Sequence, residues 1–235
     1  VGDCPDCFIK REKIINMENK FAGIVQEEEQ SLIQKKDGSA ILTSPLQLKF
    51  ERIDYHTAMD MIVTHHYLHR KAPTSWSFGA FLNGTLEGVC TVGKPASHTL
   101  LKGVAGKDKS KYVFELNRLW MSNKCPKYSE SRFIGWVLRQ LPKGTIVVSY
   151  ADTKYGHVGT VYQATNWIFT GQSIPFTDYT KNGLDHRSIP KEQRIKSEMD
   201  KVVRSRKNRY VYFTDSKDKK LLKWKSLPYR KLINA

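Results

Sequence analysis

The chain has 235 residues, enough for one large domain or two small ones, and 40% of them are hydrophobic, which is ordinary for a packed core. Lys and Arg number 39 against 23 Asp and Glu, a formal charge of +16 that exceeds what solubility requires and favours a polyanion, nucleic acid first. There is no apolar run of about 18 residues and no signal peptide, which argues against a membrane partner and for a cytosolic protein.

Residues 1–44 are polar and mixed in charge, with Glu27-Glu28-Glu29 and Lys35-Lys36, and are expected to form a helical or loose arm. Cys4 and Cys7 lie in it, but no second C-x-x-C follows, so reduced thiols are expected there and at Cys90 and Cys125 in place of a zinc site. From Leu46 the texture changes: Leu46, Leu48, Phe50 and Ile53 give the alternation of a strand. Residues 55–69 then predict a helix, with Asp54 as its N-cap and Ala58, Met59, Ile62 and Val63 at helical spacing. Two apolar strands, 77–82 and 86–92, meet at Asn83-Gly84, the dipeptide suited to a tight hairpin. The Gly-, Lys- and Ser-rich stretch 94–111 predicts an exposed loop.

A third strand over 112–121 precedes an amphipathic helix over 129–141 and an apolar strand over 146–150 that ends at Asp152. A helix over 159–166 and a strand over 167–171 follow. The order β, α, β, β, β, α, β, α, β belongs to an α/β (α+β) fold with a mixed central sheet and helices on both faces, as in the GNAT acyltransferase superfamily. Three units are expected: an arm (1–44), a catalytic core (45–180) and a basic C-terminal extension (181–235) packed on the core and contacting nucleic acid. From Lys181 onward 17 Lys and Arg stand against 6 Asp and Glu, so +11 of the total +16 lies there. Arg204, Arg206, Lys207, Arg209, Lys219 and Lys220, with Tyr210, Tyr212, Phe213, Trp224 and Tyr229 interleaved, are the candidate nucleic-acid contacts. Residues 209–214 alternate well enough to be a strand.

Three segments carry candidate chemistry. His65-His66-Tyr67-Leu68-His69, at the end of the first helix, has a spacing compatible with proton transfer or metal ligation, or with cations that simply favour a helix C-terminus. In Glu115-Leu116-Asn117-Arg118-Leu119-Trp120, strand alternation puts Glu115, Asn117 and Leu119 on one face and Leu116, Arg118 and Trp120 on the other, where buried charges form an ion pair or line a cleft. Asp152, at the carboxyl end of a strand, is placed to orient a base or bind a metal, or to cap a helix, and Tyr162 and Asn166 lie one turn apart beyond it. The convergence of the three on neighbouring strand ends favours one shared site.

The runs Glu115-Leu116-Asn117-Arg118-Leu119-Trp120-Met121, Ser129-Glu130-Ser131-Arg132-Phe133-Ile134-Gly135-Trp136, Ser149-Tyr150-Ala151-Asp152 and Gly156-His157-Val158-Gly159 through Trp167 resemble the Mom proteins of Mu-like bacteriophages. The resemblance implies an enzyme that converts adenine in duplex DNA to N6-carbamoylmethyladenine, shielding the phage genome from restriction in the host cytoplasm. It also implies site residues His66, Tyr67, Asp152 and Tyr162, with Arg118 and Ser131 as further candidates. The carbamoylmethyl donor is not identified by sequence. Pro126-Lys127-Tyr128-Ser129 stands where a typical acyl-CoA transferase has a Gly-rich turn, which makes acetyl-CoA doubtful, and iron held by His66, Asp152 and Tyr162 is a cofactor candidate. An enzyme acting on N6 within a duplex has to turn the base out, with Trp76, Trp120 and Trp167 as candidates to hold it. The alternatives are a GNAT-type acyltransferase acting on a protein or small-molecule amine, and a DNA-binding module without catalysis.

Overall fold

In the computed structural model, strand β1 (Lys49–Arg52) gives way to helix α1 (Tyr55–His65) at Asp54, whose carboxylate accepts the Thr57 amide at 3.0 Å and so caps the helix as expected. Residues 44–181, 184–185, 189–193, 195 and 198–229 are described, along with a short strand pair, Ile33–Gln34 and Ala40–Ile41. Most of the arm, with Cys4 and Cys7, lies outside them. Strands β2 (Trp76–Leu82) and β3 (Thr85–Gly93) form the expected hairpin. Asn83 and Gly84 both take positive φ, 51° and 81°, which matches the twist of the flanking strands.

The stretch 94–111 is not the exposed loop predicted. It contains helix α2 (His98–Ala105), capped by Ser97, whose hydroxyl accepts the Leu100 amide at 3.2 Å. Leu100, Leu101, Val104 and Ala105 supply a short apolar face that the surrounding Gly, Lys and Ser conceal, and Val104 and Ala105 are buried. Strand β4 (Val113–Met121), helix α3 (Ser129–Gln140), strand β5 (Ile146–Asp152), helix α4 (Thr160–Ala164) and strand β6 (Ile168–Gln172) follow in the expected order. Strands β7 (Phe176–Lys181), β8 (Leu184–Asp185) and β9 (Asp200–Arg204) make a separate three-stranded sheet in the order β8-β7-β9. Strand β10 (Lys207–Phe213), within the segment read as an extension, then enters the main sheet between β5 and β6. The boundary at residue 180 is therefore no boundary of the sheet.

The main sheet runs β1-β2-β3-β4-β5-β10-β6. Helices α3 and α4 cover one face, where Phe133, Ile134, Val137, Leu138 and Tyr162 pack on Phe78, Cys90, Leu116, Val147 and Tyr210. Helices α1 and α2 cover the other, Met59 and Ile62 against Val89, and Val104 against Val113, Val148 and Val211.

Two irregularities open this sheet at one place. The parallel pairing of β4 with β5 covers only Val113↔Ile146, Phe114↔Val147 and Glu115↔Val148, after which the strands part. Opposite, β3 pairs Thr91 with Arg118 and Val92 with Leu116, so Asn117 is an extra residue, a β-bulge. The alternation read from sequence breaks there: Leu116 and Leu119 pack on the α3 face, while Trp120 packs on the α1 face.

Candidate active site at the parted strands

Helix α1 ends at His65, short of the expected residue 69. His66 is extended (φ −76°, ψ 135°), its Nδ1 accepts the Leu68 amide at 3.1 Å, and His69 sits at φ 42°. The helical spacing read for His65, His66 and His69 is therefore absent, because the His66 ring takes an amide that a further helical turn would have used. Residues 66–75 then fold back onto the bulge. Arg118 Nε donates to the Arg70 carbonyl (3.2 Å), Asn117 Nδ2 to the Pro73 carbonyl (2.6 Å), and the Ser75 amide to the Val92 carbonyl (2.8 Å). Gly93 permits the approach, since a Cβ there would lie 1.8 Å from the Pro73 carbonyl oxygen.

This fold-back brings His66, 5% exposed, and Tyr67, 41% exposed, to Arg118, 9% exposed. The His66 and Tyr67 rings stack at 4.4 Å. Burial, with Arg118 and His69 adding to it, pushes the His66 pKa down to about 4, so the ring is neutral near pH 7. Since Nδ1 is the acceptor for Leu68, the proton resides on Nε2, and His66 presents a donor and not a base. The Tyr67 phenol is raised by burial and by the Asp152 carboxylate, against the pull of Arg118. Behind them Glu115 is raised by burial, with Arg118 and Lys207 opposing. Of the carboxylates near the parted strands, Glu115 is the one whose environment moves it toward the range of a general base.

Asp152 ends β5. Its Oδ1 accepts from Ser205 Oγ (2.5 Å) and the Lys154 amide (3.0 Å), and Lys207 Nζ lies 3.4 Å from Oδ2. Burial works against the charge, but Ser205, the Lys154 amide and Lys207 outweigh it, and the pKa falls below the ordinary range. Tyr162 reaches the same opening from the opposite face. Ser149 Oγ is 2.8 Å from the Leu116 carbonyl and 2.8 Å from the Tyr162 hydroxyl. A carbonyl cannot donate, so Ser149 gives its single proton to Leu116 and the phenol donates to Ser149. This relay bridges β4 and β5 beyond their last shared rung, and burial holds the Tyr162 phenol protonated.

Of the expected site residues, His66, Tyr67, Arg118 and Asp152 gather around the opening, with Tyr162 behind it. Ser131, in the first turn of α3, donates its hydroxyl to the Tyr128 carbonyl at 3.0 Å. The donors proposed for iron do not fit a metal cage: Tyr162 is a buried protonated phenol, and Asp152 is engaged by Ser205, Lys154 and Lys207. Among the described residues no group of three or more His, Cys, Asp and Glu side chains is disposed to hold a metal. In the turn before α3, Ser129 directs both its amide and its hydroxyl at the Pro126 carbonyl, and Glu130 adds a carboxylate to the first turn.

The basic residues divide. Arg204 is ion-paired with Asp178 and Lys207 lies by Asp152. Arg209 lies 3.6 Å over the Trp224 ring and donates twice to Thr170, at 3.0 and 3.1 Å. Arg206, Lys219 and Lys220 are exposed. Trp167 is fully buried in the core, whereas Trp120, stacked on His65 at 4.6 Å, and Trp76, packed on Phe114, are half-buried against it. Glu115 and Ser149, which lay in the candidate segments without an assigned role, join the site, as does Ser205, which lay outside them. A charged or hydroxyl residue inside an apolar strand signalled the first two, whereas Ser205, 53 residues from Asp152, gave no local signal.

A mixed seven-stranded sheet with helices on both faces and a polar cluster where its two parallel strands part defines a GNAT-like α/β protein. Solved structures similar to it include a Salmonella typhimurium protein described as an acetyltransferase with its cofactor acetyl-CoA (TM-score 0.45, 11% identity, 72% of this chain and 95% of that one). Another is the polyamine N-acetyltransferase of Drosophila melanogaster (TM-score 0.43, 11% identity, 71% and 99%). The sequence profile of the Mom protein family matches residues 47–231. The methylcarbamoylase mom of Escherichia phage Mu is 30% identical over 178 residues, 68% of this chain and 73% of that protein. The chain belongs to the Mom protein family.

Proposed function

We propose that this chain is a DNA-modifying enzyme that converts adenine in duplex DNA to N6-carbamoylmethyladenine and thereby protects a phage genome from host restriction. The observation that carries this reading is the gathering of His66, Tyr67, Arg118, Glu115 and Asp152 at the parted strands in a member of the Mom protein family. The likeness to the phage Mu methylcarbamoylase supports the transferred group. Adenine N6 loses one proton and gains a bond to the methylene carbon of the donor, as the bond from that carbon to a leaving group on the donor breaks and the group departs with the electron pair. Glu115 is suited to receive that proton, and the Nε2–H of His66 and the Arg118 guanidinium are suited to hold a carbonyl oxygen of the incoming amide. Tyr162 is a positioning residue that keeps Ser149 bridged to Leu116. Asp152 is another, tying Ser205 and Lys207 to the end of β5.

The test is nucleoside mass spectrometry of DNA from cells expressing the chain. The wild type should yield the adenine adduct, and Glu115→Gln and His66→Ala should lower its yield at least about 100-fold at equal amounts of folded protein. Unmodified DNA from cells holding folded wild type and an intact donor supply would sink the reading.

A further inference from the structure

Beyond the polar cluster, the turn that follows Asp152 displays aromatic rings to solvent. Tyr155 is 46% exposed, Tyr67 is 41% exposed, and His157 is exposed as well. Their ring centroids lie 4.6 Å apart for Tyr67 and Tyr155, 6.2 Å for Tyr155 and His157, and 6.3 Å for Tyr67 and His157. Tyr67 is itself backed by His66, so a buried ring supports an exposed one. The turn is held in shape: the Gly156 amide donates to Thr153 and the His157 amide to Asp152, at 3.1 and 3.3 Å, with Gly156 at φ 71°. Two exposed tyrosines and a histidine in mutual contact are costly to leave in water, and nothing in the core explains them. Cations border the patch. Lys154 Nζ is 5.9 Å from the Tyr155 ring, and Arg206 is fixed next to it because its carbonyl accepts from both the amide and the hydroxyl of Thr153. Aromatic faces rimmed by cations suit an unstacked nucleobase whose flanking phosphates meet the charges.

We propose that Tyr155 and His157, with Tyr67, form the platform on which an adenine turned out of the duplex is stacked, with Lys154 and Arg206 on its flanking phosphates. This rests on DNA being the substrate and goes beyond it in naming the residues that receive the base. Tyr155 and His157 take no part in proton transfer. They make the extruded base cheaper to hold and present its N6 edge toward the parted strands.

The experiment uses the full chain and a duplex with one 2-aminopurine opposite an abasic site, which emits strongly when unstacked in water. Wild type should quench the emission as it binds. Tyr155→Ala should lose the quench and bind this probe at least about fivefold more weakly, with affinity for an unbroken duplex changed less than about twofold. Tyr155→Phe, which keeps the ring face, should restore both. If Tyr155→Ala proves unfolded by its melting curve, Tyr155→Leu, which keeps apolar volume without a π face, gives the reading in its place. Equal quenching by wild type and the folded ring-less variant overturns the platform, as does a saturated wild-type complex without quenching. Mass spectrometry of modified adenine separates the two levels: quenching lost in Tyr155→Ala while wild type modifies no DNA upholds the platform and removes the chemistry, whereas unchanged quenching beside an active wild type removes the platform alone.

Discussion

His66 shows what one hydrogen bond decides. Its Nδ1 is committed to the Leu68 amide, so protonation of the ring breaks that bond and places a charge next to Arg118. The folded pKa of about 4 lies below the ordinary 6.5, so the unfolded chain binds more protons between those values. The stabilisation is complete above about pH 6.5 and is lost as pH falls toward about 4, a loss of about 1–3 kcal/mol. Melting temperature should therefore drop across that interval in wild type and drop less in His66→Phe, which cannot titrate. Parallel curves for the two proteins would show that the imidazole is not held neutral. Glu115 moves in the opposite direction, raised by burial, so the acid limb of activity should sit above the ordinary glutamate range.

At the scale of elements, β10 separates two kinds of cation. Arg209 is clamped between Trp224 and Thr170, and Arg206 points into solvent beside the turn after β5. Arg209→Ala should cost about 2 kcal/mol in denaturant unfolding, while Arg206→Ala should stay within about 0.5 kcal/mol. In DNA binding the exposed set is expected to matter: changing Arg206, Lys219 and Lys220 together to Ala should lower the slope of log affinity against log salt by about 2–3. An unchanged slope would mean that these side chains meet no phosphate. This division was not legible in the sequence, where Arg204, Arg206, Lys207 and Arg209 form one basic run. What could be read were elements with local causes: the Asp54 cap, the Asn83-Gly84 turn and the strand that ends at Asp152. Features with distant causes could not, since the bulge at Asn117 is fixed by Thr91 and Pro73, 26 and 44 residues away. His66 and Arg118 were expected in one shared site, and they meet through the fold-back of residues 66–75 and not through the helical spacing read for His65, His66 and His69.

For the whole molecule, the sheet does not close at residue 180. β10 pairs with β5 over Lys207↔Asp152 to Phe213↔Ile146 and also with β6, and it supplies Tyr210 and Val211 to the cores on opposite faces. A chain cut after Lys181 would expose an edge of β5 and leave both cores unfilled. It should show no cooperative melting, in contrast to a chain that merely loses DNA affinity. A folded, cooperatively melting product would mean that the sheet tolerates the loss of its sixth strand.

The position of β10 also has a temporal meaning. During synthesis β4 and β5 leave the ribosome long before residues 207–213, and until those arrive Asp152 lacks both Ser205 and Lys207. Ordering around Asp152 thus waits for β10, and the polar cluster at the parted strands stays incomplete until residues 205–213 have been made.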